Sequence, residues 1–188
     1  MWSPDIRAHG ARLGRLASVF AVAALLGGCF QPMYGNLSPT AGPNVRDVLS
    51  SVRVTTIEAP KGTTEERLAV ELRNELIFGL TGGAGASAPT HELTIRLTSQ
   101  NAKIIVDLTS ARPDLENFGL DASYRLVEVA TGKTVVTGTT FSRVSYDIPG
   151  QVQRFARLRG LRDAENRAAK VIAENIKSRL ASYFIAGT

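Results

Sequence analysis

Apolar and polar positions alternate along this chain with two periods. Leu68, Leu72, Leu76 and Leu80 recur every four residues, with Ala69 and Ile77 widening the stripe, which predicts an amphipathic helix over about 64–80. Thr63 followed by Glu66 is a capping-box signature at its start. A second stripe, Leu158, Leu161, Ala164, Ala168, Val171, Ile172, Ile176, Leu180 and Phe184, predicts a long helix over about 151–184. Gly160 falls inside it, at a cost of about 1 kcal/mol relative to Ala, so a kink or a late start is expected there. Between the helices the period is two. Leu93, Ile95 and Leu97 alternate with Glu92, Thr94, Arg96 and Thr98, and this strand is expected to run on to Ile104–Val106. Phe118, Leu120, Ala122, Tyr124 and Leu126 mark another strand, and Val135–Tyr146, dense in Thr, Ser and Val, a further one. Val52–Ile57 reads as a first, β-branched strand.

Turn residues punctuate these elements. Ala59–Gly62, Thr81–Pro89, Thr109–Pro113, Ala130–Lys133 and Ile148–Gly150 separate them, and Asn36–Ser50 reads as a tether broken by Pro39, Gly42, Pro43 and Asn44. The order strand, helix, three strands, helix leaves two apolar helix stripes and one apolar sheet face to bury. The economical solution is an α+β two-layer sandwich, two helices on one face of a four-stranded mixed or antiparallel sheet.

The N-terminus follows neither period. Arg7, Arg12 and Arg15 precede an apolar run, Leu16–Leu26, and the small pair Gly27-Gly28 precedes Cys29, the chain's one cysteine. A basic head, an apolar run and small residues at the cut have the layout of a secretory signal. The run is shorter than the roughly 20 apolar residues that span a bilayer. Leu26-Gly27-Gly28-Cys29 resembles a bacterial lipobox, in which the Cys is acylated and becomes the first residue of the mature protein. The expected organisation is a signal at 1–28, a lipidated N-terminus and tether at 29–50, and one domain at 51–188.

Composition narrows the function classes. Of the 188 residues, 22 are basic and 17 acidic, and removing residues 1–28 lowers the excess from +5 to about +3 by taking away three Arg and Asp5. That mild excess, in an exported chain, argues against nucleic acid. With Cys29 acylated and His9 removed, one histidine, His91, is left, so neither a thiolate site nor a multi-histidine metal site is expected, and no cofactor is implied. A Ser-His-Asp triad would have to run through His91, and no Gly-x-Ser-x-Gly elbow is present. Asp114 and Glu116 form an acid pair of the kind any surface loop carries. The Gly-rich loop at 81–89 follows a helix and lacks Lys, the wrong order for a phosphate cradle. The reading is therefore a protein that is not an enzyme.

Directly after the lipobox, Cys29-Phe30-Gln31-Pro32-Met33-Tyr34-Gly35 resembles the start of the mature lipopolysaccharide-assembly lipoproteins, the LptE family, which commonly read Cys-Gly-Phe-Arg-Pro-Leu-Tyr-Gly. Pro32, Tyr34 and Gly35 match, Gln31 and Met33 replace Arg and Leu, and one small residue is missing. The resemblance implies two helices on a four-stranded sheet. It also implies an outer-membrane lipoprotein that plugs and organises an LptD-type β-barrel and contacts lipopolysaccharide. An auxiliary lipoprotein of an ABC-type lipid transporter is the alternative.

On the sheet's outer face the alternation places Arg96, Thr98, Arg125, Thr137 and Arg143. With a three-residue hairpin loop, Asp121 and Arg143 would lie opposite each other. Arg96 and Arg125 on this face, and Arg112 and Lys133 on turns, are the candidate lipopolysaccharide contacts, because guanidinium and ammonium groups suit phosphate. The same residues also read as an ordinary solvated face. The last helix carries eight basic groups against three acids from Arg154 to Arg179, which reads as a solvated face or as attraction to anionic headgroups or an acidic partner.

Overall fold

A computed structural model of the chain describes residues 44–86, 88–104, 115–147 and 154–186. Cys29, Arg112, Asp114 and the turns expected at 109–113 and 148–150 lie outside them. The described residues all belong to one compact unit, Ala41–Thr188. In chain order they form α1 (Val45–Ser50), β1 (Val52–Val54), α2 (Thr64–Thr81), β2 (His91–Ile104), β3 (Leu115–Glu128), β4 (Thr134–Asp147) and α3 (Arg154–Ala186). The architecture is α+β, with the helices packed against a four-stranded mixed sheet of order β1-β2-β3-β4. β1 runs parallel to β2, which requires a crossover, and α2 supplies it. The β2–β3 and β3–β4 pairs are antiparallel.

The tether expected to run to Ser50 ends earlier. Asn44, read as a breaker, caps α1: its side chain accepts a hydrogen bond from Arg46 N at 3.2 Å, and its carbonyl accepts from Val48 N at 3.1 Å. Val45 and Leu49 are thereby buried in the core. β1 is also shorter than expected, ending at Val54, with a single further bridge from Glu58 to Arg96.

α2 follows its sequence closely. Thr63 Oγ1 accepts from Glu66 N, and the Glu66 carboxylate accepts from Gly62 N at 2.7 Å, one residue before the usual capping-box position. Leu68, Ala69, Leu72, Leu76 and Leu80 are buried. Gly82, at φ 70°, ends the helix by donating to Phe78 O at 3.0 Å, a left-handed cap that other residues rarely adopt.

The inner sheet face is Leu93, Ile95 and Leu97 of β2, Phe118, Leu120, Ala122, Tyr124 and Leu126 of β3, and Val136, Val144 and Tyr146 of β4. Between Val136 and Val144 the inward positions of β4 are Gly138, Thr140 and Ser142. Tyr124 fills that space: a Cβ at Gly138 would lie 2.5 Å from the Tyr124 hydroxyl. Asn175 of α3 covers the next position, its Nδ2 donating to Thr140 Oγ1 at 3.0 Å.

α3 is continuous through Gly160. It buries Ala164, Ala168, Ala169, Ile172, Ala173, Ile176, Leu180 and Ala181. Leu158 and Val171 leave the expected stripe and are 61% and 44% exposed. Val171 falls on the flank of the 164-168-172-176-180 row. Leu158 lines a shallow hollow with Gly62, Thr63 and Arg67 at the start of α2. It stands about half a turn before Gly160, which packs beside Asp147 O at the end of β4, 3.6 Å from its Cβ position.

Candidate functional site

The outer face of the sheet is built by the same alternation that builds the core. Positions that alternate with the inward-facing ones of β2, β3 and β4 point outward, so Thr94, Arg96, Thr98, Asp121, Ser123, Arg125, Thr137, Thr139 and Arg143 share one surface. Register fixes the neighbours: Arg96 faces Ser123, Thr98 faces Asp121, and Arg125 lies between Thr94 and Thr137. Two shallow hollows adjoin here. One, of about 370 Å³, is lined by Glu58, Thr94, Arg96, Ser123 and Arg125 among others. The other, of about 310 Å³, is lined by Arg96, Thr98, Asp121, Thr139 and Phe141 among others.

The structure thus brings Arg96 and Arg125 together, diagonally across β2 and β3. Arg96 Nη2 approaches Glu58 Oε2 at 3.8 Å, with both side chains about three-quarters exposed, a contact weak enough for a ligand to replace. Arg125 is exposed and makes no ion pair among the described residues. Lys133 is not part of this cluster. It sits in the β3–β4 turn at one end of the sheet, where its carbonyl accepts from Glu128 N at 2.9 Å. Arg112 lies outside the described residues.

Asp121 and Arg143 do pair, but not as directly opposed residues. Asp121 faces Phe141, and Arg143 faces Gly119. The turn closes between Glu128 N and Lys133 O, earlier than a loop centred on Gly132, and a bulge at Leu126/Val127 shifts the register again. Arg143 reaches Asp121 diagonally, with Nη2 at 2.9 and 3.1 Å from the two carboxylate oxygens. Gly119 makes room: a Cβ there would lie 2.9 Å from Gln100 Cγ and 3.1 Å from Arg143 Cδ. The guanidinium carbon also stands 5.3 Å from the ring centre of Phe141, which is 67% exposed on an otherwise polar face.

His91 opens β2. Its Nδ1 is 2.8 Å from Thr90 Oγ1, and its ring meets Phe184 edge-on at 5.2 Å between centroids. Burial pushes its pKa below the usual histidine value, against the opposing pull of Glu128. Glu92, its neighbour, is paired with Arg53 at 3.1 Å.

Two buried acids escape the sequence reading. Glu116 accepts from Arg157 Nη2 at 2.8 Å and from the Tyr146 hydroxyl. Burial first, and Glu116 second, hold the Tyr146 hydroxyl well above its usual pKa. Glu165 is held by Arg67 of α2, which also donates to Asn166 at 3.1 Å. A signal for Glu116 does exist, since it shares the inward parity of Phe118 and Leu120. Among the described residues no cluster of three or more His, Cys, Asp or Glu could hold a metal ion, and no helix is long and apolar enough to cross a membrane.

The fold is similar to that of a candidate lipoprotein from Caulobacter crescentus, with a TM-score of 0.60 at 21% identity, covering 78% of this chain and 98% of that one. An uncharacterized lipoprotein B from Nitrosomonas europaea superposes with a TM-score of 0.50 at 16% identity, covering 81% of this chain and 94% of that one. At these identities the likeness establishes a shared fold. No family model matches the chain, and no curated protein matches it.

Proposed function

We propose that this protein is an outer-membrane lipoprotein, acylated at Cys29, that supports assembly of an LptD-type lipopolysaccharide-exporting β-barrel and contacts lipopolysaccharide during its insertion into the outer leaflet. The observation that carries the reading is the broad outer sheet face, polar around the exposed Phe141 and bearing Arg96 and Arg125 diagonally across β2 and β3. A barrel lumen is wet and polar, and such a face suits it better than an apolar patch would. Guanidinium groups on the same face suit the phosphates of lipopolysaccharide. The lipobox at Leu26–Cys29 and the Pro32, Tyr34 and Gly35 match support the family, and the fold shared with proteins described as lipoproteins agrees with it.

In this reading the protein acts by contact rather than catalysis. His91 contributes to packing through Thr90 and Phe184, and replacing it with Ala should leave the lipopolysaccharide phenotype intact wherever the protein still folds. Affinity capture from solubilised outer membrane tests the partner. Recovery of a large β-barrel is expected. Recovery of inner-membrane ABC transporter subunits without a barrel would give the alternative, an auxiliary lipoprotein of such a transporter.

A further inference from the structure

The first two turns of α3 carry a face that the core does not use. Phe155 is 83% exposed and Leu158 61%. With Arg159 and Arg162 they recur at i, i+3, i+4 and i+7, so the four share one side of the helix. Gly160 packs beside Asp147, the last described residue of β4, and Phe155 precedes it by five residues, about 7 Å along the axis.

The charges around this face leave it cationic. Arg159 makes no ion pair among the described residues. Arg162 lies 4.0 Å from Glu165, and its side chain stays 59% exposed while Arg67 takes the same carboxylate. Asp163 is turned to Arg167 at 2.7 Å, and Arg157 to Glu116 at 2.8 Å. What remains is an aromatic and a branched aliphatic side chain flanked by two guanidinium groups, the make-up of a helix face that lies at a headgroup boundary.

We propose that this face seats the protein on an anionic lipid bilayer. Phe155 and Leu158 enter the acyl boundary, and Arg159 and Arg162 pair with lipid phosphates. A second copy docked by the same face would bring four like charges together, which disfavours self-association. Such seating needs neither the barrel nor the anchor. It is compatible with the anchor, since the fifteen Cα–Cα steps from Cys29 to Asn44 can span at most about 54 Å.

The test uses the mature, anchored chain from Cys29 with Phe155→Trp as the reporter, the one native tryptophan, Trp2, leaving with residues 1–28. The chain is mixed with vesicles of phosphatidylcholine alone, or with phosphatidylglycerol added, each with brominated acyl chains. The expected result is a blue-shifted emission and quenching in the anionic vesicles alone, reversed by high salt. In the reporter chain, Arg159→Ser should weaken the salt-sensitive quenching in anionic vesicles roughly fivefold. Leu158→Ser should weaken it about tenfold, and Val70→Ser on α2 should leave it unchanged. All three sites are exposed, so thermal midpoints should agree and folding defects would be visible. An unquenched reporter at position 155 in anionic vesicles overturns the proposal, as does a blue shift that depends on protein concentration without lipid, which assigns the face to a second copy. Retention on neutral vesicles through a high-salt wash reports the anchor separately, so loss of one signal does not imply loss of the other.

Discussion

Arg143 on β4 grips Asp121 on β3 with one nitrogen on both carboxylate oxygens, at 2.9 and 3.1 Å, although the backbone register sets Asp121 opposite Phe141. The pair lies on the outer face and each side chain is about 40% exposed. Asp121→Asn should therefore cost under about 1 kcal/mol. Glu116 makes a comparable contact with Arg157 inside the protein, its side chain 4% exposed and also holding the Tyr146 hydroxyl. Glu116→Leu should cost about 1–3 kcal/mol, because it strands the tyrosine hydroxyl away from water. Urea unfolding of the two variants checks the order, and an equal loss would contradict it.

The core assignment gives a second comparison. Leu72 and Ile172 are fully buried on the two long helices, while Lys170 is exposed. Leu72→Ala and Ile172→Ala should each cost about 2–5 kcal/mol. Lys170→Ala should stay within about 0.5 kcal/mol of the parent. Thermal or urea denaturation measures the difference.

Why the helices are legible in the sequence and parts of the sheet are not comes down to range. Leu68, Leu72, Leu76 and Leu80 report their shared face through local spacing alone, and all four are buried. The outward positions of Arg96 and Arg125 follow from strand alternation in the same way. The Asp121–Arg143 register depends on where the turn closes and on the bulge at Leu126/Val127, which no periodicity encodes. The apolar stripe assigns Leu158 to the core because spacing alone does not reveal the shallow hollow that it lines at the start of α2. α1 escapes notice because six residues are too few to show a helical period, and Asn44 serves equally as breaker or cap. Glu116 reads as a loop acid because its charge outweighs its parity.

His91 makes stability depend on pH. Burial lowers its folded-state pKa below 6.5, so the folded protein resists taking up the proton that the unfolded chain accepts. Its contribution is complete above about pH 6.5 and is lost as pH falls through the lowered folded value. Urea midpoints should drop between about pH 7 and pH 5, and His91→Gln should flatten that part of the profile. Glu65 acts at lower pH. The hydrogen bond from Ser99 Oγ at 2.6 Å, its largest influence, lowers its pKa, so its contribution holds above about pH 4.5 and is lost on further acidification. Ser99→Ala should shrink the acid-side loss and leave the histidine step in place.

The anchor is tested by mass. A chain extracted from native membranes should begin at Cys29 and carry acyl groups at its thiol and N-terminus, since a single chain gives only marginal membrane binding. A mature mass without added acyl groups would contradict this.

The central claim is that the outer sheet face meets a large β-barrel. The most direct measurement places a photo-activatable residue at Ser123, between Arg96 and Arg125 on that face, and a second at Val70, exposed on α2. Irradiation of intact cells followed by capture of this chain should yield a crosslink from position 123 to an outer-membrane β-barrel protein. That crosslink should be stronger than any from position 70. A crosslink from position 123 to inner-membrane transporter subunits, or barrel crosslinking from position 70 alone, would contradict it.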